Sequence, residues 1–149
     1  MNDIERWLES RREVAPLLLR LFLASVLVYG TFDNVVSQER MHEFRDFLAQ
    51  NGFPFPLASA YLSAWAQFLT GLLLLVGFLT RPAAAIVVVN FVVALVMVHA
   101  GLPFSSNIAP LAMLIGGVFF VIYGAPRYSV DGRRGQGPGA RGQGLGTRG

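Results

Sequence analysis

The sequence feature that most constrains the fold is an uncharged run of 23 residues at positions 57–79. At 1.5 Å of rise per residue, a helix of this length extends about 35 Å, which is enough to cross the hydrocarbon core of a bilayer. Thr80, Arg81 and Pro82 follow the run. We expect them to end the helix, because proline cannot continue its hydrogen-bond ladder and an arginine suits a helix C-terminus.

Three further apolar segments, at 15–36, 83–102 and 108–125, are also long enough to span a membrane. The whole chain is 54% hydrophobic and 14% charged, whereas soluble domains carry about 25% charged residues. The sequence therefore predicts an all-α integral membrane protein, an antiparallel bundle of four transmembrane helices within residues 15–126. Pro82 and Pro110 suit the first turns of the third and fourth helices.

The segments outside these spans differ in character. Residues 1–14 combine charges of both signs with apolar residues at helical spacing, which predicts an amphipathic N-terminal helix on the membrane surface. Residues 38–52 predict an interfacial helix lying against the bilayer, with Met41, Phe44, Phe47 and Leu48 on one side. Residues 132–149 contain eight glycines and four arginines, which predicts a disordered tail.

Arginine placement predicts the orientation. If both termini are cytoplasmic, ten arginines lie inside and only Arg40 and Arg45 lie outside, which satisfies the positive-inside rule. We therefore expect a multi-pass protein of the inner (plasma) membrane with cytoplasmic termini. The net charge of +3 is explained by this topology, without a nucleic-acid partner.

Four polar or ionisable side chains are candidate ligand-binding residues. Gln67 and Asn90 lie near the middle of their spans, and we expect them to be close together. Each is interpreted either as an interhelical hydrogen bond or as part of a ligand pocket. His99 lies near a span end, as an interfacial histidine or as a hydrogen-bond partner for a quinone. Asp33, near the other end of its span, either reaches the head groups or joins an internal pocket.

Arg20 has the same two interpretations as Asp33, and we expect it to snorkel to the head groups. The chain has no cysteine and only two histidines. Disulfides and Cys-ligated clusters are therefore excluded, and no metal site or covalently bound cofactor is expected. A chain with so few reactive side chains is not expected to be catalytic alone.

Several motifs, in order along the chain, carry a resemblance to a known family. They are LLLRL at 17–21, Gly30, GFPFP at 52–56, TGLLLLVG at 70–77, TRPAA at 80–84 and GAPRYSVD at 124–131. Over residues 15–131 the chain resembles the DoxX family of small four-helix membrane proteins. Gln67 stands where the family usually has glutamate, and Asp33 where it tends to have lysine or histidine, so a mechanism based on an intramembrane carboxylate does not carry over to Gln67.

The resemblance implies an association with redox chemistry, since members are similar to membrane subunits of quinol oxidase or thiosulfate:quinone oxidoreductase. The first hypothesis is thus an accessory or anchor subunit of a quinone-linked oxidoreductase system, with an oxidoreductase partner and a bound quinone. A second is a small transport or lipid-binding protein with a polar pocket around Gln67, Asn90 and Asp33. A third is a scaffold that recruits partners through its basic tail. Grooves of small residues on the helices would also permit a homo-oligomer.

Overall fold

The computed structural model describes residues 2–134, which form seven α-helices and no strand. Four of these helices, α2, α4, α5 and α6, are long and apolar enough to cross a membrane. The bounds are α1 Asp3–Ser10, α2 Val14–Val36, α3 Gln38–Gln50, α4 Pro56–Val76, α5 Thr80–Met97, α6 Phe104–Tyr123 and α7 Val130–Arg133.

The four long helices form an antiparallel bundle. Along it, α2 packs on α4, α4 on α5 and α5 on α6, and a contact between α2 and α6 closes it. One end holds the starts of α2 and α5, the ends of α4 and α6, and α7. We call it the Arg20 end. The opposite end, which holds α3, is the α3 end.

The core of the bundle is apolar and depends on glycine for close helix contacts. Leu23 and Leu27 of α2 belong to one buried cluster that also includes residues of the other three long helices. A Cβ atom on Gly71 would lie 2.9 Å from Val28 Cγ2, and one on Gly116 would lie 2.7 Å from a Leu23 methyl carbon. Gly116 therefore lets α6 pack closely on α2 within the chain.

The second span ends earlier than its apolar run. α4 ends at Val76 because Gly77 adopts φ +70°, a left-handed conformation that glycine tolerates best. The N–H of Phe78 then donates to Leu73 O at 2.9 Å. We expected Thr80 to help end α4, but it is the first residue of α5. α5 runs from Thr80 to Met97, whereas the predicted third span covered 83–102.

The fourth span begins at Phe104 and not at Ile108. Pro103 is the N-cap and is extended (φ −61°, ψ 153°), a conformation that proline readily adopts. Pro110 consequently lies inside α6 and not in its first turn. Asn107 lies in the first turns of α6, and its Nδ2 donates to Leu102 O at 3.2 Å.

α3, which we predicted as an interfacial helix, packs on the bundle. Met41 and Leu48 are 1% and 4% exposed and contact Ala60 and Ala64 of α4. Phe47, which we placed with them, is exposed. The apolar side of this helix thus faces protein, because the alanines of α4 leave room for larger side chains.

The predicted N-terminal helix is α1, on which Ile4, Trp7 and Leu8 are exposed. At the other end of the chain, Gly132 and Arg133 belong to α7, although we assigned them to the tail. The rest of the predicted disordered tail, from residue 135 onward, lies outside the described residues.

Candidate functional site

A chain of polar side chains joins α4 to α5 near the middle of both helices. Gln67 Nε2 donates to Ser63 Oγ at 3.0 Å, and Ser63 Oγ donates to Asn90 Oδ1 at 2.9 Å. Gln67 is the twelfth of 21 residues in α4, and Asn90 is the eleventh of 18 in α5. The structure therefore confirms that Gln67 and Asn90 are neighbours, with Ser63 between them.

Helix periodicity places these residues together. Ser63 and Gln67 are four residues apart and so lie on one face of α4. Asn90 follows the buried Val87 by three residues, which puts it at the edge of the core-facing side of α5. All three polar side chains are half-buried. The polar chain consequently lies at the rim of the core, between the buried and the exposed sides of α4 and α5.

The polar chain retains hydrogen-bonding capacity. Asn90 Nδ2 makes no hydrogen bond within residues 2–134, and Gln67 Nε2 uses one of its two N–H groups. Asn90 Nδ2 remains accessible, since it is unpartnered and is not among the buried unpartnered atoms of the described chain. Amide N–H donors of this kind suit a carbonyl oxygen of a neutral ligand. Neither the amides nor the hydroxyl of Ser63 titrates near neutral pH.

Asp33 and His99 lie apart from this chain. Asp33 is exposed near the end of α2, and its charge interacts with Arg40 of α3. His99 follows the end of α5, and its Nδ1 lies 3.1 Å from Ala94 O. No hydrogen bond in the described part of the chain joins either residue to Gln67 or Asn90, so neither belongs to the polar chain. No group of three His, Cys, Asp or Glu residues within 2–134 is placed to hold a metal ion.

A second polar network, which the sequence analysis did not assign, occupies the Arg20 end. We expected Arg20 to snorkel, but it is only 3% exposed, and its Nη2 donates to Tyr128 O at 3.0 Å. Gly77 leaves the space for the guanidinium, because a Cβ atom there would lie 2.1 Å from Arg20 Nη1. The fold therefore turns this arginine inward against the segment that follows α6.

That segment, residues 124–131, is here called the C-terminal clamp. Asp131 is 4% exposed, and its Oδ2 accepts the backbone N–H of Thr80 at 2.8 Å. Its own N–H donates to Gly77 O at 3.0 Å. Because Leu79, the N-cap of α5, makes no side-chain cap, Asp131 supplies the carboxylate that this helix N-terminus favours.

Contacts from α6 and from the clamp to the start of α2 complete the network. The hydroxyl of Tyr123 donates to the Glu13 carboxylate, 3.0 Å from each oxygen. The backbone N–H of Arg127 is 3.4 Å from Glu13 Oε2. The sequence signals for this network were the motifs LLLRL, TGLLLLVG, TRPAA and GAPRYSVD, which contain Arg20, Gly77, Thr80 and Asp131. They carried the family resemblance, but nothing in them predicted that these residues meet.

Comparisons with known proteins identify the family. The DoxX family model matches residues 15–100, a segment that runs from the start of α2 to just beyond α5 and makes up more than half of the chain. Searches of curated proteins and of solved structures gave no match. The match agrees with the four helices that are long and apolar enough to cross a bilayer. The chain therefore belongs to the DoxX family, as a multi-pass membrane protein.

Proposed function

We propose that this DoxX-family protein is an accessory or membrane-anchor subunit of a quinone-linked oxidoreductase system. In this proposal it binds a quinone beside the polar chain Gln67–Ser63–Asn90, while a partner protein carries the redox cofactor. The observation that carries the proposal is the position of that chain. It lies near the middle of two helices that are long and apolar enough to cross a membrane, is half-buried, and has amide N–H groups with no partner within the described residues.

The chemistry of a quinone fits this position. A quinone has carbonyl oxygens that accept hydrogen bonds and a hydrocarbon tail that dissolves in the bilayer. An amide N–H that faces hydrocarbon without an acceptor is costly, so an incoming carbonyl oxygen gains a hydrogen bond that lipid tails cannot provide. Because Gln67 and Asn90 are only half-buried, such a ligand can reach them laterally from the membrane.

The composition of the chain supports the assignment of the redox cofactor to a partner protein. There is no cysteine, and the two histidines, His42 and His99, lie in α3 and beyond the end of α5. Iron–sulfur clusters held by cysteine therefore have no ligands in this chain. In the proposed system, electrons reach the quinone from a cofactor on another protein.

Tryptophan fluorescence can test quinone binding directly. The chain has two tryptophans, so Trp7→Phe leaves Trp65, which is two residues from both Ser63 and Gln67, as the single reporter. We expect decyl-ubiquinone to quench it saturably in detergent. Gln67→Leu and Asn90→Leu should each weaken binding about fivefold, the equivalent of one net hydrogen bond of about 1 kcal/mol.

Two variants serve as matched controls. His99→Leu removes the other residue that we considered for a quinone hydrogen bond, and Ser59→Ala removes a hydroxyl that donates to Pro54 O at 2.8 Å, at the start of α4. Both should leave quenching unchanged. The proposed quinone site would be contradicted if the quenching of Trp65 did not saturate. It would also be contradicted if Asn90→Leu bound decyl-ubiquinone as tightly as the parent Trp7→Phe protein.

The partner is tested by gentle purification and mass spectrometry. The proposal predicts a stoichiometric flavin, haem or metal protein with the chain, and extractable quinone. The alternative is a carrier of neutral hydrophobic ligands, which the uncharged character of the polar chain favours over an ion transporter. Lipid flux in liposomes that Gln67→Leu abolishes, together with a partner-free and quinone-free preparation, would support that alternative and refute the first proposal.

A further inference from the structure

The two ends of the bundle differ in charge. Within residues 2–134, the Arg20 end carries eight arginines and five carboxylates, whereas the α3 end carries two arginines and four carboxylates. The protein is therefore an electrical dipole across the membrane, with its positive end where α2 begins and α6 ends.

Both arginines of the α3 end are neutralised locally. Arg40 Nη1 contacts Glu43 Oε2 at 2.8 Å, and Arg45 Nη2 contacts Asp46 Oδ1 at 2.7 Å. The hydrogen bond from Arg40 to Glu43 raises the pKa of Arg40, which favours the charged guanidinium. An anion that approached the α3 end would have to compete with these carboxylates.

The Arg20 end differs in having five exposed arginines with no ion pair in the described part of the chain. Arg6 and Arg12 at this end are paired, and Arg20 is buried. The five exposed and unpaired residues are called the basic rim: Arg11, Arg81, Arg127, Arg133 and Arg134.

Contacts within the protein hold three members of the basic rim in place. Arg81 Nη2 donates to Ile122 O at 3.2 Å, and its guanidinium lies against Gly124. Arg11 lies over the ring of Trp7, 4.9 Å from its centroid, and Arg134 lies 5.5 Å from the centroid of Phe78. These contacts do not neutralise the charges, which remain available to a ligand.

The basic rim lies at the ends of the long apolar helices, where we expect lipid head groups. Arg81 is the second residue of α5, and Arg127 is four residues beyond the end of α6. The side chains of Trp7 and Tyr128 are exposed close by in the sequence, and aromatic residues of this kind favour the membrane–water interface. The nearest anions at this depth are lipid phosphates.

From this charge complementarity we propose that the basic rim binds the head groups of anionic phospholipids in the leaflet at the Arg20 end. Arginine suits the role because its planar guanidinium can donate two parallel hydrogen bonds to a phosphate. Each arginine near an anionic surface strengthens association about fivefold. This proposal does not depend on quinone binding, because the proposed quinone site lies near the middle of the helices and the basic rim lies at their ends.

The test compares lipid compositions with the full-length chain. Native mass spectrometry after extraction from mixed phosphatidylglycerol and phosphatidylcholine should show retained phosphatidylglycerol. In nanodiscs, phosphatidylglycerol should raise the melting temperature, and added salt should reduce this gain, because salt screens exposed charges. Arg127→Gln/Arg133→Gln should lose most of the retained phosphatidylglycerol; neither side chain makes an ion pair or hydrogen bond within residues 2–134.

Arg40→Gln/Arg45→Gln at the α3 end is the matched control, with the same loss of charge, and should keep both the lipid and the gain in melting temperature. If the two double variants behave alike, or if phosphatidylglycerol gives no gain in the wild type, the proposal is wrong. Binding of an acidic protein to the Arg20 end, without selective retention of phosphatidylglycerol, would also overturn it in favour of a protein-docking surface.

Discussion

The carboxylate of Asp131 accepts the backbone N–H of Thr80 at 2.8 Å, across a separation of 51 residues in the chain. A helix that begins without a capping side chain of its own is thus capped by the segment that follows the last transmembrane helix. The C-terminal clamp is for this reason part of the bundle.

Removal of the Asp131 carboxylate should destabilise the bundle. Asp131→Ala leaves the Thr80 N–H without its charged acceptor in a buried site, so we expect a loss of about 2 kcal/mol in the free energy of unfolding. Asp131→Asn keeps an oxygen acceptor and should lose about half as much. The measurement is unfolding in detergent, followed by circular dichroism. The exposed Asp46 is the control, and Asp46→Ala should change little; equal effects of the two alanine variants would contradict a capping role for Asp131.

Arg20 and Asp131 should be energetically coupled. The Arg20 guanidinium is buried without a direct ion pair, and Asp131 is the acid that attracts it electrostatically. Arg20→Met should cost about 3 kcal/mol, because Tyr128 O and the Asp131 charge lose their cationic partner. In a double-mutant cycle with Asp131→Asn, we expect a coupling free energy of about 1 kcal/mol. Strict additivity would show that the two residues act independently.

Gly77 should not tolerate a side chain. A Cβ atom there would lie 2.1 Å from Arg20 Nη1 and 2.4 Å from Ser129 Cβ, at φ +70°. We therefore expect Gly77→Ala to lose about 3 kcal/mol or more, or to prevent accumulation of the folded protein. Gly30 has no atom within 4 Å of the equivalent position, so Gly30→Ala should be neutral or slightly stabilising. Yield and melting temperature in the same detergent distinguish the two variants.

The polar chain should contribute little to stability. Ser63→Ala removes the link between Gln67 and Asn90 and should cost about 1 kcal/mol or less, the usual range for interhelical polar contacts in membranes. A melting temperature close to that of the wild type, combined with altered quinone quenching, would separate a binding role from a packing role. A large loss of stability would instead make these residues an essential interhelical contact.

Sequence reasoning identified the features that depend on local pattern. The uncharged apolar runs predicted four long helices, and the mid-span positions of Gln67 and Asn90 predicted that they are neighbours. Helix ends were less accurate, because hydropathy alone does not detect a left-handed glycine. Leu79 is as apolar as the residues before it, but the backbone at Gly77 had already ended α4.

The Arg20 end could not be predicted in the same way. The side chain of Arg20 is long enough to reach either the head groups or the protein interior, and its sequence position permits both. What decides between them is the space above Gly77 and the carbonyl of Tyr128, which only the folded chain brings together. A contact between residues more than a hundred positions apart leaves no periodic signal.

The C-terminal clamp also has a consequence for how the protein is made. Chains are synthesised from the N-terminus, so Arg20, Gly77 and Thr80 enter the membrane before Asp131 and Tyr128 exist. Until the last helix has been inserted, the start of α5 lacks its cap and the Arg20 guanidinium lacks its carbonyl partner. A chain truncated after α6 would thus contain all four spans but lack the contacts of Asp131 and Tyr128 at the Arg20 end. A protease that cleaves unfolded segments at this end would degrade such truncated chains in preference to chains that contain the clamp.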